Sequence, residues 1–241
     1  MKITKNKSLH DKNKTFTAVV PAAGKSTRMR GIDKLFADLA GKPVIIRTLE
    51  AISADRRIEN IILTVSPDAL DIISNLLKKF PIPKLIKVVR GGKRRQDSVF
   101  EGIVNAPGEY IVIHDGARPL LSKSLLRRIL DSVDSTPGII PAFAVSDTIK
   151  RIDDNGFVVN TLDRSKIVRI QTPQVFEKTV LMESYRVLVK RSISITDDSS
   201  VLEVAGFPVK TVEGSEFNIK ITNTEDLELA RAIWKSNLIH E

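Results

Sequence analysis

Cysteine is absent from this chain of 241 residues, which removes disulfides, thiolate metal sites and a thiol nucleophile at once. Aromatic residues make up only 5%, little for stacking nucleic-acid bases. No run of 18 or more apolar residues occurs, and the N-terminus lacks the apolar core of a secretory signal. A soluble, unexported, cytoplasmic protein with no membrane partner is expected. What the chain does have is 42% hydrophobic residues, enough for the core of an α/β domain, and a net charge of +9.

The distribution of that charge matters more than its sum. The first 15 residues hold five Lys against one Asp, so +4 of the excess lies in a segment with few apolar groups. Residues 1–15 are expected to be a disordered basic leader and 16–241 a single domain. The remaining excess is spread thinly and includes Arg90, Lys93, Arg94 and Arg95. A non-catalytic nucleic-acid binder is therefore the weaker reading, and a small anionic substrate the stronger.

The most informative stretch is Pro21-Ala22-Ala23-Gly24-Lys25-Ser26-Thr27-Arg28-Met29, directly after the apolar run Thr17 to Val20. A β-branched strand ending in Pro, two Ala and a Gly leaves backbone amides uncovered, free to converge on an anion. Lys25, Arg28 and Lys34 add formal charge, and a polyphosphate is the expected ligand. The P-loop pattern would need Gly where Val19 stands, and the dinucleotide fingerprint would need a second Gly two residues from Gly24. What remains is close to a nucleotidyltransferase loop, or else an ordinary strand-turn-helix connection with solvated cations.

Apolar runs at Ile61 to Val65, Leu85 to Val89, Tyr110 to His114 and Ile139 to Val145 read as strands covered on both faces. Between them, Leu70, Ile73, Leu76, Leu77 and Phe80 recur at helical spacing, as do Leu125, Leu126, Ile129, Leu130 and Val133. The expected fold is α/β, a Rossmann-like, mostly parallel sheet with helices on both faces. Ligands in such folds bind beyond the carboxyl ends of the strands. The turns Gly91 to Ser98 and His114 to Pro119 should then face the loop at 21–34.

The alternation breaks at about 147–170. Thr148 to Ile152, Asp153 to Gly156 and Phe157 to Val159 read as a protruding β-hairpin arm with an Asn-Gly turn. Such an arm is too short to fold alone; it needs either a second copy of the chain or its own domain as a partner surface. Lys220 is expected on a terminal strand, before a helix that begins near Asn223.

Taken together, these motifs in this order resemble the 2-C-methyl-D-erythritol 4-phosphate cytidylyltransferases of the non-mevalonate isoprenoid pathway. The resemblance runs from about Thr17 to Ile233. It rests on Pro21 to Gly24 with Arg28, Met29 and Lys34; Gly91-Gly92 with Arg95, Asp97 and Ser98; and His114-Asp115 with Ala117-Arg118-Pro119. Asp147-Thr148, Asp163-Arg164, Thr172-Pro173-Gln174, Thr196-Asp197 and Asn218-Ile219-Lys220 complete it. It implies transfer of a cytidylyl group from CTP to a sugar-alcohol phosphate with release of pyrophosphate. Magnesium would bridge the CTP phosphates, with no side-chain metal ligands expected, and the chain would form a homodimer through the arm. Ribitol 5-phosphate is the alternative acceptor.

By the same resemblance, Arg28, Lys34 and Lys220 are catalytic, stabilising the reacting α-phosphate. Pro21, Ala22, Ala23, Gly24, Gly92, Ser98, Asp115 and Gly116 bind the nucleotide. Asp115, Arg118, Thr172 and Thr196 line the acceptor pocket, and Thr148 and Arg164 reach it from a partner's arm. Asp33 stands where Pro often precedes the loop Lys, which leaves the stiffness of that turn open. No appended cyclodiphosphate synthase is expected.

Overall fold

The computed structural model describes residues 14–24, 33–133, 135–191, 193, 195–236 and 238. The first half of the chain alternates strand and helix. It runs through β1 (Phe16–Ala22), β2 (Asp38–Leu39), β3 (Lys42–Pro43), α1 (Val44–Ser53), β4 (Ile58–Val65), α2 (Leu70–Lys79), β5 (Leu85–Arg90), α3 (Arg95–Asn105), β6 (Tyr110–Ile113) and α4 (Lys123–Leu130). The second half holds β7 (Gly138–Ala144), β8 (Lys150–Ile152), β9 (Val158–Thr161), β10 (Val168–Ile170), β11 (Gln174–Glu177), α5 (Lys178–Arg191), α6 (Ser199–Ala205), β12 (Val209–Glu213) and α7 (Thr224–Lys235).

Eight strands form one sheet, ordered β10-β7-β11-β6-β1-β4-β5, with β12 paired to β7. The pairs β6/β1, β1/β4, β4/β5 and β7/β12 are parallel, whereas β11 runs antiparallel to both β6 and β7. The carboxyl ends of β1, β4, β5 and β6 therefore open on the same side of the sheet.

Side-chain alternation sends Ala18 and Val20 to one face and Val19 to the other. Ile45, Leu49, Ile52, Leu125 and Ile129 of α1 and α4 cover the first face; Val99, Ile103, Leu181, Tyr185 and Leu202 of α3, α5 and α6 cover the second. Burial on both faces explains why these strands read as unbroken apolar runs. The expectation fails for β5, where Ile86 is 53% exposed. This strand ends the sheet, and among the described residues no strand pairs with its outer edge.

The hairpin arm is present as β8 and β9, antiparallel, closed by a turn in which Gly156 adopts φ +86°. The Asp153 carboxylate accepts from the amides of Asn155 and Phe157, which fixes the turn. Ile152, Phe157 and Val158 are 59, 72 and 61% exposed, so the described residues of its own chain do not cover the arm. Folding back onto its own domain is thus excluded for the described residues. No described helix is long and apolar enough to cross a membrane.

Candidate active site

The carboxyl ends of the parallel strands enclose a cleft of about 810 Å³. Pro21, Ala22, Ala23 and Gly24 follow β1 along one wall, and Ser66, Pro67 and Asp68 follow β4. Gly92 enters from the turn after β5, Arg95 and Ser98 from the first turns of α3, and Asp115, Gly116 and Ala117 from the turn after β6. Lys34 and Lys220 also line the cleft. Most of these residues belong to the strand-end turns expected to meet; the Ser66 to Asp68 wall does not, and its only mark in the sequence is the Pro directly after a strand. Arg28 and Met29, like Lys25, lie outside the described residues.

The close approach of two turns builds one wall of the cleft. The Gly91 amide donates to the Val65 carbonyl at 2.8 Å. A Cβ on Gly91 would come within 2.5 Å of Ala23 Cβ and 2.7 Å of Ser98 Oγ. Only glycine lets the turn after β5 lie against the loop after β1. Asp97 begins α3 by accepting from the Arg94 amide at 3.1 Å and from its guanidinium at 2.7 Å. Asp33 stiffens the turn that carries Lys34, for its carboxylate accepts from the Leu35 amide at 3.0 Å and its carbonyl from the Phe36 amide at 2.9 Å.

Asp115 is the electrostatic centre. One of its oxygens, Oδ1, accepts from Arg95 Nε at 3.1 Å and Nη2 at 2.8 Å, while Oδ2 accepts from Lys220 Nζ at 2.7 Å. Arg118 Nε lies 3.9 Å from the same Oδ2, and its Nη1 donates to the Asn218 carbonyl at 2.6 Å. Burial by itself would raise the Asp115 carboxyl, but Arg95, Lys220 and Arg118 outweigh it and hold it well below the usual carboxylate range. It is therefore ionised at neutral pH and far too weak a base to take a proton there.

Arg95 also holds Asp198, donating from Nη1 at 2.8 Å and Nη2 at 2.7 Å. Burial would loosen the Arg95 proton; the two carboxylates reverse this and keep it charged. Burial pushes the Asp198 carboxyl up, against the pull of Arg95. Three cations, Arg95, Arg118 and Lys220, thus face the two carboxylates Asp115 and Asp198. Nothing local to Asp198 marks it as the partner of a residue 103 positions earlier. Two adjacent acids before a helix look like an N-terminal pair.

Lys220 is not on a strand. It lies in a loop whose Ile221 amide donates to the Ala117 carbonyl at 2.9 Å, with no strand ladder. Buried Ile221 packs in the α7 cluster and turns the Lys220 ammonium to the cleft.

Thr172 departs from its expected place. It is 4% exposed, and its hydroxyl is committed within the chain. His114 Nε2 lies 3.0 Å from the Arg118 carbonyl, which only accepts, so Nε2 carries the proton. Nδ1 of this neutral ring then accepts from Thr172 Oγ1 at 3.1 Å, and Thr172 Oγ1 accepts from the Asp115 amide at 3.0 Å. With its only proton engaged, Thr172 holds the Asp115 turn from behind and has none left to donate to an acceptor. Thr196 is exposed and does not line the cleft. Thr148 and Arg164 are exposed on or beside the arm, away from their own chain's cleft, and Arg164 Nη1 donates to the Ser146 carbonyl.

Complete burial lowers the His114 pKa to about 4. An unfolded chain takes up this proton near 6.5, so between pH 6.5 and 4 it binds more protons than the folded state, and stability falls as pH falls. The full loss amounts to about 3 kcal/mol. Urea melts across this window should show it, with the difference disappearing in His114→Gln. Equal pH slopes for both proteins would contradict the buried neutral ring.

Residues 16–236 match the family model of 2-C-methyl-D-erythritol 4-phosphate cytidylyltransferase. The chain is 41% identical to the protein of that name from Geobacillus kaustophilus strain HTA426 over 226 residues, covering 92% of this chain and 98% of the relative. It is 37% identical to the one from Bacillus mycoides strain KBAB4, covering 90% and 96%. Among solved structures, 4-diphosphocytidyl-2C-methyl-D-erythritol synthase from Anaerococcus prevotii is similar with a TM-score of 0.82 and 32% identity, covering 92% of this chain and 96% of that one.

Proposed function

We infer the work of the cleft from one premise: the chain belongs to the 2-C-methyl-D-erythritol 4-phosphate cytidylyltransferase family, so it is a nucleotidyltransferase of isoprenoid biosynthesis. Its reaction joins CTP to 2-C-methyl-D-erythritol 4-phosphate. An oxygen of the acceptor phosphate attacks the α-phosphorus of CTP, the bond from that phosphorus to the β-phosphate bridge breaks, and pyrophosphate leaves with the electron pair. With a second pKa of about 6 the acceptor phosphate is largely dianionic at neutral pH, so no base is needed to create the nucleophile. This agrees with a site whose central carboxylate cannot accept a proton.

The barrier is one of charge. Two anions must meet, and the crowded α-phosphate gathers further negative charge at the transition state. The amides of Ala22 to Gly24 and Lys34 are assigned to the triphosphate, and Gly92 and Ser98 to the cytosine side. Lys220 leaves Asp115 for the reacting α-phosphate, and Arg118 holds the acceptor phosphate. Arg95 stays on Asp115 throughout, so the carboxylate is never left unpaired. Arg95 and Arg118, fixed in place before the reactants arrive, need no reorganisation during it, and Lys220 changes only its partner. The observation that carries this reading is the placement of Lys34 and Lys220 on one cleft with the turn at 21–24.

Magnesium dependence belongs to the same proposal. Among the described residues no group of three or more acids or histidines could hold a metal, and Asp115 is surrounded by cations. The described side chains offer no such cage, and magnesium would instead be held with the CTP phosphates, where it would neutralise charge on the reactants. A cytoplasmic homodimer joined through the exposed arm completes the reading, with Thr148 and Arg164 delivered to the neighbouring cleft.

The test is product formation. With CTP and magnesium, the protein should release pyrophosphate and form the cytidine diphosphate alcohol from 2-C-methyl-D-erythritol 4-phosphate, and EDTA should stop it. Turnover of ribitol 5-phosphate alone would reject the acceptor, and undiminished turnover in EDTA would reject the metal.

A further inference from the structure

A fully buried carboxylate without a part in this chemistry lies behind the cleft. Asp198 is 0% exposed, at the entry to α6. Its neighbour Asp197 does the local work of the helix, accepting from the Ser200 amide at 3.2 Å, Ser199 Oγ at 2.7 Å and Gln174 Nε2 at 3.1 Å. Asp198 makes none of these bonds and turns both oxygens to Arg95. The outer edge of the same guanidinium grips Asp115 Oδ1, and Asp115 Oδ2 holds Lys220. An alternating series of charges, Asp198, Arg95, Asp115 and Lys220, thus runs from the core to the cleft.

A guanidinium is a rigid planar fork, and here two of its edges are occupied, which fixes its plane as well as its position. With a single carboxylate partner Arg95 could rotate about that contact and carry Asp115 with it. We propose that Asp198 is a positioning residue of the transfer reaction: it anchors Arg95 so that Asp115 presents one oxygen to Lys220 and holds the ammonium where the α-phosphate will be. This rests on the role given above to Lys220.

Asp198→Asn keeps the shape and removes the charge. It should lower kcat about 10- to 100-fold, as expected for a reacting group displaced by about 1 Å. The KM for CTP should change less than about threefold, because the turn at 21–24 is untouched. Arg95→Lys, which keeps the charge without the fork, should show the same loss. Both variants are then combined with Lys220→Ala. If Asp198 acts through Lys220, its replacement costs little more in that background, whereas a merely structural residue costs the same factor in both.

Coupled losses with cooperative thermal melting support the proposal. Additive losses, wild-type kcat in Asp198→Asn, full activity in Arg95→Lys, or failure of both variants to fold would each overturn it. A Lys220→Ala protein that is itself fully active would instead remove the reading on which the proposal rests.

Discussion

Lys220→Ala lowers kcat by about 10²- to 10³-fold, the range found when one preorganised donor to a developing oxyanion is removed. The melting temperature should scarcely move. Lys220 is partly exposed in a loop, and Asp115 keeps Arg95 and Arg118 when the ammonium is gone, so no buried charge is left alone. CTP affinity should fall less than turnover, since the ground-state triphosphate still has the amides after β1 and Lys34. Steady-state pyrophosphate release and a thermal melt on the same preparation measure both. Unchanged kcat in the folded variant would take Lys220 out of the mechanism and leave its contact with Asp115 as a structural ion pair at the rim of the cleft.

A second large effect is recovery. Arg164→Glu should be nearly inactive through loss of acceptor binding, because it places an anion where the arm would meet a phosphate. Mixed with equally inactive Lys220→Ala, it should regain activity. If two chains pair through their arms, each mixed dimer would hold one cleft with an intact Lys220 and a partner arm with an intact Arg164. Random exchange makes half of the dimers mixed, so about a quarter of wild-type activity is expected. The physical basis is the arm itself, with Ile152, Phe157 and Val158 exposed in a hairpin of only three residue pairs. Native mass spectrometry confirms that exchange has occurred; exchange without recovery would mean that each cleft is complete within one chain.

The parts of the fold legible in the sequence are those written in local patterns. The strand at 16–22 and its turn of small residues could be read because strands buried on both faces are apolar throughout and phosphate-binding turns shed side chains. The turns after β5 and β6 could be placed together because a parallel sheet aligns its strand ends. The unread parts depend on distant partners. β5 looks like its buried neighbours, and only the sheet order makes it an edge. Lys220 sits between Ile219 and Ile221 as it would on a strand, yet the backbone there forms one link to Ala117 and no ladder. Thr172 looks like a substrate hydroxyl until His114 and the Asp115 amide are found on either side of it. The pairing of Arg95 with Asp198 rather than Asp197 is decided by which acid the start of α6 requires for itself.

The central claim is that Lys220 exchanges Asp115 for the α-phosphate within the cleft at the ends of the parallel strands. A crystal structure with CTP and magnesium examines this most directly. The triphosphate is expected over the amides of Ala22 to Gly24, with cytosine toward Gly92 and Ser98 and Lys220 Nζ within hydrogen-bond distance of an α-phosphate oxygen. Nucleotide bound outside this cleft, or bound within it while Lys220 stays on Asp115 and out of reach of the α-phosphate, would contradict it.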